Sequence, residues 1–222
     1  FKNINFLKQL TNDDRNYIKI AVLSDIHNNY FKLEDAVDRI NRDYDIDFTI
    51  VPGDLTDLGS IKEFQFAKEG LDDLVMPYFT VVGNHDYRSN GKEIYSQMFG
   101  ENNYVIYYKN LKLIFFDDIV WESDKAPDFA WLKEQLADSL DMKKIIITHL
   151  PPNSCLYESN GETLNDIIST SGATIVIDGH THEYCLNSVN DIPHLTCCSI
   201  NRDQYVVVTI QNNSIEIEKI DF

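Results

Sequence analysis

The sequence predicts an α/β fold in which the strands of a parallel sheet alternate with helices. Three short apolar runs, at 18–23, 48–51 and 77–82, are separated by two segments whose apolar residues recur at helical spacing. This β-α-β-α-β order implies parallel strands joined by right-handed crossovers. With 222 residues, 43% of them hydrophobic and 25% charged, the chain suits one globular domain, which we expect to span 1–222.

The first half of the chain carries the two predicted crossover helices. Residues 1–17 show no clear period, so we expect a peripheral N-terminal arm or strand there. One helix is predicted over about 30–42 by the apolar residues Leu33, Ala36, Val37 and Ile40. The other is predicted by Ile61, Phe64, Ala67, Leu71 and Leu74.

The second half of the chain mixes strands with shorter helices. A hairpin is predicted from 104–108 and 111–116, on either side of Lys109-Asn110. Pro127 is predicted to open a helix whose apolar face is formed by Phe129, Leu132, Leu136 and Leu140. Short helices are also predicted at 94–99 and 163–169. The tail at 184–222 is predicted to form C-terminal antiparallel strands between Asn/Asp turns.

Composition narrows the class of function. A net charge of −17 argues against a basic surface for nucleic acid, and no apolar run reaches the 18 residues of a membrane span. No CxxC pair is present, so we expect buried free thiols rather than a zinc-cysteine site at Cys155, Cys185, Cys197 and Cys198. The chain begins at Phe1 rather than Met, so we expect that an N-terminal segment has been removed.

Side chains that can bind metal ions follow five of the strand-like runs. The five motifs are Ser24-Asp25-Ile26-His27, Gly53-Asp54, Gly83-Asn84-His85-Asp86, Thr148-His149 and Gly179-His180-Thr181-His182. Five of the six histidines lie in these motifs, and His194 is the exception. Because an open α/β sheet binds its ligands at the carboxyl ends of the strands, we expect the motifs to converge. For any one of these residues alone, the alternative to metal binding is a hydrogen bond that caps the end of the strand.

The donor set favours two transition-metal ions. Carboxylate, amide and imidazole donors without thiolates suit Mn, Fe or Zn better than Ca or Mg. Seven such donors are too many for one tetrahedral ion, whereas two ions that share a bridging carboxylate would use them all. Two bound cations would attract an anionic group into this acidic protein and could clamp a transferring phosphoryl group.

Taken in order, the five motifs resemble the signature of the calcineurin-like metallophosphoesterases, over about residues 18–185. The resemblance implies a four-layer αββα sandwich of two mixed β-sheets flanked by helices. It also implies two divalent metal ions with a bridging hydroxide that attacks phosphorus in line. One ion would be held by Asp25, His27, Asp54 and His182. The other would be held by Asp54, Asn84, His149 and His180.

The resemblance assigns further roles around the two ions. His85 would protonate the leaving oxygen, with Asp86 orienting its ring, and Asn84 and His85 would contact the substrate. Apart from the resemblance, Arg88 is a further candidate for a substrate contact because it is the basic residue next to a ligand loop, and a solvated loop cation is the alternative. Purple-type relatives place a ligand tyrosine at the position of Asp57, so no tyrosinate-iron centre is expected here. Many relatives have a second histidine at the position of Leu150, but that residue is usually not the ligand.

Within the family, the chain looks most similar to the bacterial cyclic-nucleotide phosphodiesterase branch. The stretches that carry this likeness are 53–60, 83–88 and 129–132. We therefore expect a small phosphodiester substrate such as a cyclic nucleotide. Few basic residues lie near the motifs, which also favours the single charge of a diester.

Two other functions stay open at this point. The first is a phosphomonoesterase that acts on nucleotides, phosphoproteins or sugar phosphates, and the second is a non-catalytic metal-binding scaffold. We expect a soluble bacterial domain of the cytoplasm or cell envelope, whereas the oligomeric state is not predicted.

Overall fold

The computed structural model describes residues 2–10, 15–137, 142–155 and 157–222. Within these ranges the chain forms six α-helices: α1 (Lys2–Leu10), α2 (Tyr30–Ile40), α3 (Ile61–Asp72), α4 (Gly91–Met98), α5 (Phe129–Leu136) and α6 (Leu164–Ser169). Single 3₁₀ turns are found at His85–Tyr87 and Ile200–Arg202. None of the described helices is long and apolar enough to cross a lipid bilayer.

The strands lie in two large sheets and one small hairpin. In chain order they are β1 (Tyr17–Val22), β2 (Phe48–Pro52), β3 (Tyr78–Val81), β4 (Tyr104–Tyr108), β5 (Leu111–Phe115), β6 (Lys143–Ile147), β7 (Glu158–Ser159), β8 (Glu162–Thr163), β9 (Ile175–Asp178), β10 (Cys185–Val189), β11 (Ile192–Thr196), β12 (Gln204–Gln211) and β13 (Ser214–Asp221). The hairpin is formed by β7 and β8.

Both large sheets are mixed. The first has the order β13-β12-β1-β2-β3, and its strands β1, β2 and β3 run parallel, as the β-α-β-α-β pattern predicts. The second has the order β10-β11-β9-β6-β5-β4, in which β5, β6, β9 and β11 run parallel. Antiparallel strands lie on one side of the parallel strands in the first sheet and on both sides in the second.

Successive side chains along each strand point to opposite faces of its sheet, so the core is divided into three layers. Inward residues of both sheets, such as Ile20, Phe48 and Ile147, form one buried cluster between the sheets. The opposite face of the first sheet packs against α2 and α3, and that of the second packs against α5 and α6. Each fully buried aliphatic side chain contributes about 1.5–3 kcal/mol to this packing. The predicted four-layer αββα sandwich is therefore confirmed.

Three local predictions need correction or comment. Residues 2–10 form a helix rather than a strand, because Leu7 is buried against the core between the sheets and Asn3 Nδ2 donates to the carbonyl oxygen of Tyr78 at 2.8 Å. The helix predicted to open at Pro127 starts at Phe129, because the side chain of Asp128 caps it. Leu140, predicted on the same helix, lies outside the described residues.

The tail at 184–222 forms two antiparallel hairpins that join different sheets. The β10–β11 hairpin extends the second sheet through a parallel pairing of β11 with β9. The β12–β13 hairpin extends the first sheet through an antiparallel pairing of β12 with β1. The tail therefore forms one edge of each sheet, next to the motif-bearing strands β1 and β9.

Candidate metal centre

The five motifs meet where the carboxyl ends of the two sheets face each other. The backbone N–H of His180, after β9, donates to both carboxylate oxygens of Asp25, after β1, at 3.1 and 3.2 Å. Nδ1 of His149, after β6, lies 2.8 Å from the carbonyl oxygen of Pro52 in β2. These contacts connect the two sheets at the site, so the predicted convergence is observed.

One cluster of donors contains Asp25, His27, Asp54 and His182. Nε2 of His27 lies 3.1 Å from Nε2 of His182 and 3.6 Å from Oδ2 of Asp54. Nε2 of His182 lies 3.4 Å from Oδ1 of Asp25. Because these donor atoms all lie within 4.8 Å of one another, they form a suitable cage for a cation.

A second cluster is centred on His149. Its Nε2 atom lies 3.0 Å from Oδ1 of Asn84, 3.3 Å from Nδ1 of His180 and 3.5 Å from Oδ2 of Asp54. The carbonyl oxygen of Pro52 can only accept a hydrogen bond, so Nδ1 of His149 carries the hydrogen and Nε2 is the nitrogen that faces the cluster.

Asp54 belongs to both clusters. Its Oδ2 atom lies about equally far from His27 and His149, at 3.6 and 3.5 Å, while Oδ1 accepts a hydrogen bond from the backbone N–H of His85 at 2.9 Å. One carboxylate oxygen is therefore held in place by the backbone, and the other lies between the two clusters. A shared carboxylate of this kind is what a two-ion site requires.

The backbone at the site is held in an uncommon conformation. Left-handed φ angles between 49° and 70° are found at Asp25, His27, Asp54, His180 and His182. For residues other than glycine, such angles cost of order 1–3 kcal/mol each and persist where surrounding contacts enforce them. Their concentration at five of the seven predicted ligands is consistent with a functional site at the strand ends.

Two glycines allow the motifs to approach each other closely. A Cβ atom at Gly53, where φ is +92°, would overlap the imidazole of His149. A Cβ atom at Gly179 would overlap the hydroxyl of Ser24 and lie 2.9 Å from Oδ2 of Asp25. Glycine is needed at both positions because the side chain of His149 occupies the space beside Gly53, and those of Ser24 and Asp25 occupy the space beside Gly179.

The buried carboxylates and imidazoles of the site shift one another's pKa values. Burial opposes ionisation of Asp54, but His149 and His27 outweigh this effect and keep the pKa of Asp54 below its ordinary value. Burial also disfavours the imidazolium of His149, yet Asp54 and Asp25 raise the pKa of His149 to about 10. Burial lowers the pKa of His27 and of His180, which favours the neutral ring that binds metal ions.

The predicted role of Asp86 is not supported by the geometry. Its buried carboxylate accepts hydrogen bonds from the backbone N–H groups of Gly83, Leu55 and Thr56 at 3.0, 3.2 and 2.9 Å. The ring of His85 instead contacts Asp57, with Nδ1 lying 2.9 Å from the backbone carbonyl oxygen and 3.2 Å from Oδ1. Asp86 thus fixes the loop, while Asp57 orients the ring.

Arg88 lies near the site but is already engaged. Its Nη1 atom donates to the carbonyl oxygen of Asp57 at 3.2 Å. The proposed contact of Arg88 with substrate stays a prediction. His194, as expected, lies outside both clusters on β11.

Sequence reasoning missed two acidic residues that hold the ligands. Buried Asp118 accepts hydrogen bonds from the backbone N–H groups of His149 and Leu150, at 3.2 and 3.1 Å through its two oxygens. The run that ends in Asp117-Asp118 shows the same strand-end pattern as the five motifs, so a signal existed. Glu122 accepts a hydrogen bond from Nδ2 of Asn84 at 3.0 Å, and its loop position gives no comparable signal.

An αββα sandwich whose strand ends hold two donor clusters with a common carboxylate is the architecture of a metal-dependent phosphoester hydrolase. Residues 18–184 match the model of the calcineurin-like phosphoesterases. The chain therefore belongs to the calcineurin-like phosphoesterase family, as the resemblance of its motifs predicts.

Similar proteins agree with this placement. A protein of Arcobacter nitrofigilis named as a probable glycerophosphodiester phosphodiesterase is 28% identical over 171 residues, which cover 69% of this chain and 63% of that protein. A probable cyclic nucleotide phosphodiesterase of Fibrobacter succinogenes is 25% identical over 50% of this chain and 44% of that protein. The chain thus spans less than two thirds of the length of either relative.

A solved structure shows the same fold. The dimetal phosphatase of Danio rerio superposes with a TM-score of 0.68 over 92% of this chain and 99% of that chain, at 14% identity. At this identity the similarity concerns the fold alone.

Proposed function

We propose that this chain is a dinuclear metal-dependent phosphodiesterase that acts on small phosphodiesters. The observation that carries the proposal is the pair of donor clusters that share Oδ2 of Asp54. One ion would be held by Asp25, His27, Asp54 and His182, and the other by Asp54, Asn84, His149 and His180. When bound, two divalent transition-metal ions neutralise phosphate charge and lower the pKa of a coordinated water to about 7.

His85 would supply the proton that the leaving oxygen needs. Its ring packs edge-on against the ring of His27 with 4.6 Å between centroids, so it lies beside the ligands of the first ion. Nδ1 donates to the carbonyl oxygen of Asp57, which leaves Nε2 of the imidazolium to donate to the substrate. Oδ1 of Asp57 lies 3.2 Å from the same Nδ1 atom.

Charges around the site favour a diester over a monoester. The carboxylate of Asp57 lies next to His85, and that of Glu122 lies next to Asn84. The guanidinium of Arg88 donates a hydrogen bond to the carbonyl oxygen of Asp57. A diester carries one negative charge where a monoester carries about two, so these carboxylates repel a diester less. The names of the two relatives, one a glycerophosphodiesterase and the other a cyclic nucleotide phosphodiesterase, support the same choice.

Turnover of two matched substrates tests the proposal. Bis-p-nitrophenyl phosphate and p-nitrophenyl phosphate release the same coloured leaving group, p-nitrophenolate. Each can be assayed with the chain reconstituted with Mn, Fe, Zn or Co. We expect the diester to have the higher kcat/KM with every active metal. Glycerophosphodiesters and the 2′,3′- and 3′,5′-cyclic nucleotides then identify the natural class.

Other outcomes of this assay would replace the proposal. If the monoester is preferred with every metal, the chain is a phosphomonoesterase. If the folded chain binds no Mn, Fe, Zn or Co after reconstitution and hydrolyses neither substrate, a scaffold function replaces the enzymatic one.

A further inference from the structure

The side-chain amide of Asn84 is held between the second donor cluster and a loop that contains none of the predicted ligands. Its Oδ1 atom lies 3.0 Å from Nε2 of His149, and its Nδ2 atom donates to Oε1 of Glu122 at 3.0 Å. An amide has two ends of nearly equal shape, but only the oxygen binds a cation. The orientation of this amide therefore decides whether Asn84 can serve as a ligand.

We propose that Glu122 is a positioning residue that keeps the amide oxygen of Asn84 turned towards the second ion. A carboxylate can only accept hydrogen bonds, so it faces the NH₂ end of the amide and excludes the reversed orientation. Asn84 caps no backbone group of the 3₁₀ turn that follows it, so the turn does not fix its side chain. This role rests on the proposed two-ion function.

The loop that carries Glu122 is anchored on both sides. Before it, the carboxylate of Asp118 binds the backbone of His149, and the hydroxyl of Tyr87 donates to Asp117. Immediately after it, the hydroxyl of Ser123 donates to the carbonyl oxygen of Ile119 and accepts from the N–H of Lys125, at 2.5 and 3.1 Å. These contacts hold the backbone of the loop next to Asn84, so the side chain of Glu122 can reach the amide.

Glu122 also affects the strength of the ligand. A hydrogen bond from Nδ2 to an anion increases the electron density on the amide oxygen, as outer partners do for metal-bound imidazoles. The Glu122 side chain is exposed, so its replacement leaves no buried cavity. The effect of such a replacement on metal binding can therefore be measured on a folded protein.

Calorimetric titration of the full chain with Mn²⁺, after treatment with a chelator, tests the role without an activity assay. For Glu122→Ala we expect one of the two ions to bind about 10–100-fold more weakly, with the other unchanged. Glu122→Gln should recover only part of the loss, because its amide oxygen can accept the same hydrogen bond but its NH₂ group also allows the reversed amide. Asp124→Asn, which neutralises an exposed carboxylate of the same loop, is the matched control and should bind both ions as the wild type does.

A double-mutant cycle separates positioning from a general effect of charge. In the background of Asn84→Ala, Glu122→Ala should change neither affinity, because the amide that Glu122 orients is gone. Equal affinities of wild type and Glu122→Ala for two ions would overturn the positioning role alone. A loss from Glu122→Ala that persists in the Asn84→Ala background would also overturn it, since the charge of Glu122 rather than its hydrogen bond to the amide would then matter. A wild-type chain that binds fewer than two ions would overturn the proposed function together with this role.

Discussion

Nδ1 of His85 lies 2.9 Å from the backbone carbonyl oxygen of Asp57 and 3.2 Å from its carboxylate. The backbone oxygen accepts a hydrogen bond from Nδ1, which leaves Nε2 for the substrate, and the carboxylate places a negative charge beside the ring. Asp57, three positions after the predicted bridging residue Asp54, therefore contacts His85, the proposed acid. This pair is the basis of the first two predictions.

Replacing His85 with alanine should impair the chemistry and leave the ions in place. We expect turnover of a diester with an alkyl leaving group to fall by about 10²–10⁴-fold, because an alkoxide needs a proton from an acid. The loss should be smaller for a p-nitrophenolate leaving group, which departs without one. Metal content by mass spectrometry is the control. Loss of an ion, or an equal loss of turnover for both leaving groups, would contradict the assigned role.

Asp57→Asn removes the carboxylate and retains the backbone carbonyl. The ring of His85 then keeps its orientation but loses the neighbouring negative charge, so we expect kcat to fall by about 10–100-fold. Asp35→Asn, which neutralises an exposed carboxylate on α2, is the matched control. Wild-type kcat in Asp57→Asn would show that the backbone bond alone is sufficient.

Gly53→Ala tests the close packing of two motifs. Its Cβ would overlap the ring of His149 and lie 3.0 Å from Cα of Gly83, so we expect weaker binding of the second ion and a lower midpoint of thermal unfolding. Gly100→Ala is the matched control, because Gly100 has a φ of +109° and a Cβ there meets nothing within 4 Å. Equal losses of stability in the two variants would mean that only backbone strain matters at Gly53.

Asp117 gives a prediction about pH. Burial raises the pKa of this carboxyl, although bonds from Tyr87 and Asn102 partly oppose the shift. A carboxyl whose pKa is higher in the folded state than in the unfolded state makes the protein less stable as the pH rises. The decline begins near the unfolded pKa of about 4 and continues up to the raised folded pKa. The free energy of unfolding of Asp117→Asn should lack this decline. The two proteins can be compared by urea unfolding between pH 4 and pH 7, and parallel curves would contradict the shift.

The strand ends were predictable because parallel strands bring their carboxyl ends to the same edge of a sheet. The apolar runs before Asp25, Asp54 and Asn84 therefore located the site without any knowledge of side-chain geometry. The position of His149 and His180 on a second sheet that faces the first depended on the family resemblance, because no pattern in the sequence shows that two sheets stack face to face.

Other features depend on contacts that the sequence does not display. Asp57 and Asp86 are both acidic residues in the ligand loops, and only the path of the loop decides which of them faces His85. Glu122 lies in a loop without regular structure, so its distance from Asn84 could not be inferred. The helix at 2–10 is short, and its packing through Leu7 rather than its own propensity determines it.

Crystals of the chain soaked in Mn²⁺, measured at the manganese absorption edge, test the central claim most directly. Two anomalous peaks should appear about 3.5–4 Å apart, on either side of Oδ2 of Asp54, with Asn84 and His149 next to one peak and His27 next to the other. A single peak, or two peaks that do not share Asp54, would contradict the two-ion centre.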